Sequence, residues 1–413
     1  MYDFMDTSYS EDNFVIDPNQ PYIPEAADCM RCGMCVSNCP TFRLFQIEEE
    51  SPRRRIRTIS KLLLEDRQPD QQERQHLDSC LQCRACEVVC PSRMAYGQLF
   101  DQARIKLQPQ HNYLAKFGFR LIENKTLRTA LTPLIKLYQK IGLQKLLRQT
   151  GLLKKLHLSE AEALLNQPLQ NPLSANYPPK IAQRGKVALF TGCLAEQFDG
   201  DTLTAAIKVF NAIGYAVEVP PQQTCCGAIH QHNGLSAQQF ITTNLAVFTA
   251  LQVDAIVFAA SGCGAMLSEY QSQNAQHLAQ FQQGLHDINE FLLKNWPEDL
   301  FLKPVSQTVA VHEPCSQRNV LKNSQAIYDL LKKIPDLNVM ALEDNQICCG
   351  AGGSYMLSHS QNAADLRKLK LKAISIAQAD EVVSSNFGCS IFLNAAGAKL
   401  RHPLVLLARQ LPD

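Results

Sequence analysis

The chain has 413 residues, 46% of them hydrophobic, with 40 basic against 39 acidic side chains and a formal charge of +1. That length supports about two or three globular domains, and the balanced charge gives no global argument for a nucleic-acid partner. No run approaches the roughly 18 to 20 continuous apolar residues of a membrane span; the nearest, Asp254 to Leu267, is short and broken by Ser261 and by glycines.

Residues 1–28 carry seven acidic side chains and no Lys or Arg, the reverse of a secretory or mitochondrial leader. Sixteen cysteines in such a chain are expected to stay reduced, free for metals or redox chemistry. The first group is Cys29, Cys32, Cys35 and Cys39 before Pro40; the second is Cys80, Cys83, Cys86 and Cys90 before Pro91. Both read C-x2-C-x2-C-x3-C-P, the run that holds [4Fe-4S] clusters in bacterial-type ferredoxins. Three thiolates two residues apart let one tight loop cover three corners of a cubane, and in two-cluster ferredoxins the fourth ligand comes from the other motif. The expected sets are therefore Cys29, Cys32, Cys35 with Cys90, and Cys80, Cys83, Cys86 with Cys39. Paired structural zinc sites are the alternative, since tetrahedral sulfur suits zinc as well. Zinc modules, however, usually join two C-x2-C halves across a longer insert.

The forty residues between Cys39 and Cys80 read as helix. Ser51 is placed to cap it, Pro52 to start it, and Ile56, Ile59, Leu62 and Leu63 fall at helical spacing. Arg53, Arg54, Arg55 and Arg57 crowd its first turn, where the helix dipole disfavours cations, so something negative is expected nearby. An anionic cluster, an acidic partner or plain solvent would each serve.

Residues 101–157 hold twelve Lys or Arg against two acidic residues, with Leu and Ile at helical spacing between them. Such a segment suits anionic lipid, an acidic partner, or a solvated face over the cluster domain. Residues 158–185, rich in Pro, Gln and Asn, read as a linker.

The other eight cysteines repeat one pattern. Cys193, Cys225-Cys226-Gly227 and Cys263 form the first copy; Cys315, Cys348-Cys349-Gly350 and Cys389 form the second, at offsets of 122, 123 and 126 residues. Register over three landmarks indicates an internal duplication. Strand-like runs at Lys186–Phe190, Ala255–Ala259, Val309–His312 and Glu381–Ser384 each lead into a cysteine, with helical patterns following. Ligands bind at that edge of open α/β sheets. Buried unreactive thiols are the alternative, but unrelated core cysteines would not recur in register. His230, His232 and His312 lie near these cysteines in sequence, as extra ligands, proton donors or ordinary histidines.

The expected architecture is α+β and multidomain: a helical ferredoxin domain with two 4Fe-4S motifs over 1–110, a basic helical segment and linker over 111–185, and two cysteine-rich α/β repeats over 186–300 and 301–413. No strand followed by G-x-G-x-x-G appears, Gly350-Ala351-Gly352-Gly353 following a cysteine pair instead. No flavin site is visible, so hydride chemistry is expected in another subunit.

In this order, the two ferredoxin motifs, Ser51-Pro52-Arg53-Arg54-Arg55-Ile56, Thr191-Gly192-Cys193, Cys225-Cys226-Gly227, Ala260-Ser261-Gly262-Cys263-Gly264, Cys348-Cys349-Gly350 and Gly388-Cys389 resemble the iron-sulfur subunit of glycolate oxidase and its relatives. The likeness covers nearly the whole chain. It implies two [4Fe-4S] clusters, a further iron-sulfur cluster in the repeats, FAD-containing glycolate or D-lactate dehydrogenase subunits as partners, and quinone as acceptor. It implies a cytoplasmic oxidoreductase subunit, in peripheral contact with the inner membrane, that does not oxidise the hydroxy acid by itself. Related proteins serve D-lactate and glycerol-3-phosphate dehydrogenases. The Cys-Cys-Gly repeats also resemble the cysteine-rich subunit of heterodisulfide reductase, where they hold non-cubane clusters and end in C-x2-C. Here Met266 and Phe392 take that last position, so each repeat is one cysteine short.

Overall fold

The computed structural model describes residues 29–30, 32–109, 111–155, 158–166 and 172–412; the acidic segment 1–28 and the middle of the expected linker lie outside these residues. The fold is a helical N-terminal region followed by two α/β repeats.

The helix between the cysteine motifs runs Pro52–Leu64, with the Ser51 side chain accepting from Arg54 N. Gln71–Asp78 follows, closed by a capping box in which Asp70 and Glu73 each accept from the other's backbone N–H. These helices and Tyr96–Leu107 bury Ile56, Ile59, Leu62, Leu77, Leu99 and Phe100 in one small core. The basic segment forms helices Tyr113–Glu123, Lys125–Lys140 and Leu143–Gln149, the first two capped by Asn112 and Asn124. Tyr113, Leu114, Phe117, Leu134, Leu137, Ile141 and Leu146 on these helices are exposed.

The strands are β1 Asn176–Tyr177, β2 Gly185–Phe190, β3 Tyr215–Glu218, β4 Ala255–Phe258, β5 Leu285–Asp287, β6 Gln307–His312, β7 Leu337–Ala341, β8 Glu381–Ser384 and β9 Leu400–Arg401. They make two sheets, ordered β1-β3-β2-β4-β5 and β7-β6-β8-β9. Without β1 the orders correspond strand for strand, all pairs being parallel. The duplication read from cysteine spacing is thus a duplication of topology. β1, antiparallel to β3, draws part of the expected linker into the first sheet.

Side chains alternate across a strand. Val187 and Leu189 of β2, with Val309 and Val311 of β6, face a core that both repeats share, while Ala188 and Phe190 face the first cysteine group and Ala310 the second. The shared core is filled from helices of both copies: Gly200–Ala212 packs on Pro403–Gln410, and Ile288–Asn295 on Gln325–Leu331. Among the described residues no helix is long and apolar enough to cross a membrane.

Candidate iron-sulfur centres

The N-terminal motifs close around two cavities. Cys29, Cys32, Cys35, Cys86 and Cys90 line one, beside Arg53 and Ile56. Cys39, Cys80, Cys83 and Cys86 line the other, beside Arg55 and Tyr96. The last cysteine of each motif therefore borders the cavity of the other motif, and Cys86 borders both. Burial pushes the Cys35 thiol up to about 11, against lowering by the Arg53 backbone N–H. It drives Cys83 and Cys86 well above the usual thiol value. A buried sulfur of this kind becomes a thiolate ligand only when a metal group supplies the balancing positive charge.

The arginines in the first helical turn meet their counter-charges in the chain itself. Arg53 pairs with Glu48 at 2.6 Å. Arg55 is not a solvated residue but 2% exposed, and pairs with Glu50, which is 3% exposed. Its guanidinium also donates to His76 O at 2.7 Å, Thr41 Oγ1 at 2.9 Å, Ser79 Oγ at 2.8 Å and Cys39 Sγ at 3.6 Å. Burial alone would raise the Glu50 carboxyl, yet Arg55, His76 and Ser79 hold it below its ordinary value. One ion pair thus ties Cys39 to the turn that precedes Cys80. The sequence shows the arginine run; Glu50, Thr41 and Ser79 carry no local motif.

In each repeat the four sulfurs form a chain. Cys193 is hydrogen-bonded to Cys225, Cys225 to Cys226, and Cys226 to Cys263. Cys315, Cys348, Cys349 and Cys389 follow the same order, with Cys349 Sγ and Cys389 Sγ 3.1 Å apart. All sixteen cysteines are free thiols. Hydrogen bonding to the neighbouring sulfur and burial together raise Cys193 and Cys315 well above the usual thiol value. The turns match: Gly227 and Gly350 both sit at φ +93°, and their N–H groups reach Cys225 Sγ and Cys348 Sγ at 3.3 and 3.5 Å. A left-handed turn lets the backbone donate to sulfur there, a conformation costly for any residue with a Cβ.

The second group has further polar neighbours. His312 is buried, its Nδ1 3.0 Å from Ser384 Oγ, and its ring lies with the Cys349 and Cys389 sulfurs so that the three donor atoms fall within 4.8 Å of one another. Burial holds that imidazole down to about 3. Asn386 donates to Cys389 Sγ at 3.3 Å and accepts from Gly262 N at 3.2 Å, joining the two cysteine groups through one amide. Lys370, also buried, donates to Asp344 O at 2.7 Å; burial lowers its pKa and the nearby thiols raise it. His230 Nε2 faces Glu123 at 3.0 Å and His232 Nδ1 faces Asp101 at 3.2 Å. They fasten the first repeat to the N-terminal helices.

The N-terminal centre leans on the second repeat. Leu81 and Cys83 pack with Cys315, Cys348 and Cys349. Cys83 lies close enough to Cys315 and Cys348 for their charges to couple. Asn319 donates to Cys83 O at 2.7 Å. Arg84 ties the same loop to the first repeat, pairing with both Glu87 and Glu269. Four clusters of soft sulfur, half-buried in the N-terminal motifs apart from exposed Cys32 and buried Cys39, and mostly buried in the repeats, with N–H donors aimed at several of them, fit iron-sulfur groups.

Comparison with known proteins agrees with this chemistry. A 4Fe-4S dicluster domain matches residues 25–94, a cysteine-rich domain matches 187–268 and again 309–394, and the linker region of the glycolate oxidase iron-sulfur subunit matches 112–165. The "probable glycolate oxidase iron-sulfur subunit" of Bacillus subtilis is 34% identical over 88% of this chain and 87% of its own length. The glycolate oxidase iron-sulfur subunit of Escherichia coli is 28% identical over 93% of each. Lactate utilization protein A of Halalkalibacterium halodurans is 24% identical over 49% of this chain and 86% of its own. By identity, coverage and the match along all its parts, this chain belongs to the family of glycolate oxidase iron-sulfur subunits.

Proposed function

We propose that this chain is the electron-carrying subunit of a hydroxy-acid dehydrogenase complex of the glycolate type. It would take electrons from an FAD-containing partner and deliver them towards quinone. Cys29, Cys32, Cys35 and Cys90 would hold one [4Fe-4S] cluster and Cys80, Cys83, Cys86 and Cys39 the other; the repeat cysteines would hold a further iron-sulfur group. When bound, these groups supply one-electron redox chemistry. The chain's own residues bury the sulfurs, aim N–H donors at them, and fix the two N-terminal loops through Arg55 and Glu50. The observation that carries the reading is that Cys83 of the N-terminal motif and Cys315 of the second repeat pack on the same core cluster, the one that holds Cys348 and Cys349.

Iron and acid-labile sulfide are the first test, on the anaerobic full chain. About eight irons per chain would confine clusters to the ferredoxin motifs, and twelve or more would place one in the repeats. Fewer than about four, without sulfide, would overturn the reading. The chain, mixed with its flavoprotein partner and glycolate or D-lactate, should then lose its visible iron-sulfur absorption. No bleaching with either acid would count against the role.

A second reading concerns location. Tyr113 is 92% exposed, and Leu114, Phe117, Leu137, Ile141 and Leu146 are exposed among Lys116, Lys136, Lys140 and Lys145. An apolar and basic surface of this kind favours peripheral attachment to an anionic membrane. Sedimentation with phosphatidylglycerol vesicles, compared with phosphatidylcholine vesicles, tests it.

A further inference from the structure

The two repeats share topology, cysteine spacing and the φ of the glycine after each cysteine pair, so a place where they differ chemically is informative. At the carboxyl ends of the central strands, Phe190 of β2 pairs in register with Phe258 of β4. At the corresponding position of the second repeat, His312 of β6 pairs with Ser384 of β8. Phe190 and His312 each precede the first cysteine of their repeat by three residues. An apolar pair in one copy is thus a hydrogen-bonded polar pair in the other.

Strand alternation sends both side chains to the cysteine face. In the first repeat that puts a phenyl ring beside Cys193, Cys225 and Cys226. In the second it puts an imidazole where its ring nitrogen, Cys349 Sγ and Cys389 Sγ all lie within 4.8 Å of one another. Two donors sharing one tetrahedral metal lie about 3.5–4 Å apart, so a small adjustment on binding suffices. Ser384 Oγ, 3.0 Å from Nδ1, orients the ring, as the partners of metal-bound histidines do. Each repeat is one cysteine short of a five-cysteine set, and among the described residues His312, Cys349 and Cys389 are the group in which a histidine and sulfurs lie that close together.

We propose that His312 is a nitrogen ligand of the iron-sulfur group held by Cys315, Cys348, Cys349 and Cys389, making the second repeat a mixed sulfur and nitrogen site and leaving the first repeat all-sulfur. The inference rests on the reading that the repeats carry iron. Imidazole in place of a thiolate removes negative charge from the site, so the second repeat should be reduced more readily than an all-cysteine equivalent.

Pulsed EPR on the full chain, grown with ring-15N histidine and prepared anaerobically, tests this. Spectra are recorded oxidised and after dithionite, because adjacent one-electron states of a cluster cannot both have an even electron count. The expected result is a nitrogen coupling whose pattern changes with the isotope. It should vanish in His312→Gln, in His312→Ala and in Cys389→Ser, and persist in His402→Gln. Iron in the second repeat without nitrogen coupling, a coupling retained in either His312 variant, or zinc in that repeat would overturn the proposal alone. An iron count showing none in either repeat would overturn the underlying reading first, and the proposal with it.

Discussion

Replacing Arg55 by Met tests whether the N-terminal sulfurs are held by one buried ion pair. The side chains of Arg55 and Glu50 are 1% and 5% exposed, so solvent screens the pair little. Removing one partner of a buried pair costs about 3–5 kcal/mol, because the other charge stays buried. Here the loss also strips donors from His76 O, Thr41 Oγ1 and Ser79 Oγ. Against a usual stability of about 5–15 kcal/mol that is a large fraction. Anaerobic urea titration followed by circular dichroism and by cluster absorption should show a lower midpoint for Arg55→Met, with substantial recovery in Arg55→Met/Glu50→Met, where no charge remains buried. The penalty should depend on pH with a definite sign. Glu50 is held below the ordinary carboxyl value in the folded chain, so its contribution is complete at neutral pH and lost as pH falls through that depressed pKa. The gap between wild type and Arg55→Met should therefore narrow in acid. A single-variant cost under about 1 kcal/mol, or a double variant as unstable as the sum of the singles, would refute the argument.

Three further outcomes are expected. Because Cys39 borders the cavity of Cys80 and Cys83, Cys39→Ala should perturb the same EPR signal as Cys83→Ala, and Cys90→Ala the same signal as Cys32→Ala; effects following each motif separately would contradict the crossed sets. Gly350→Ala should destabilise more than Gly397→Ala in thermal unfolding. Both glycines sit at φ +93°, costing about 1–2 kcal/mol for an added Cβ. Only at Gly350 would that Cβ meet a backbone oxygen, Ala363 O at 2.6 Å, while Gly397 has open space. Leu137→Glu should weaken sedimentation with anionic vesicles several-fold and leave the unfolding free energy from urea titration within about 0.5 kcal/mol, since the residue is exposed.

Much of this was legible in the amino-acid order because duplication writes a pattern twice. The strands leading into Cys193, Cys263, Cys315 and Cys389 lie where alternation and the cysteine offsets put them. The helix from Pro52 was legible from Ser51 and Pro52. What stayed hidden depends on tertiary contact. Glu50 reads as one of three glutamates in a row and becomes the buried partner of Arg55 only when the chain folds back over Ser79. The two-residue strand β1 is too short to show a period. His312 looks like any strand-end histidine until its register partner Ser384 is set beside Phe190 and Phe258 of the other copy.

The shared core between the repeats bears on how the protein is made. Leu404, Leu406 and Leu407, from the last helix of the chain, are buried with Leu203, Val209 and Phe210 of the first repeat. The outer side of Gly200–Ala212 therefore stays uncovered until Pro403–Gln410 has left the ribosome, and loop closure over about 200 residues must then be completed. Each copy supplies part of the core that the other buries. Nascent chains stalled short of Pro403 would display the apolar side of Gly200–Ala212 to chaperones.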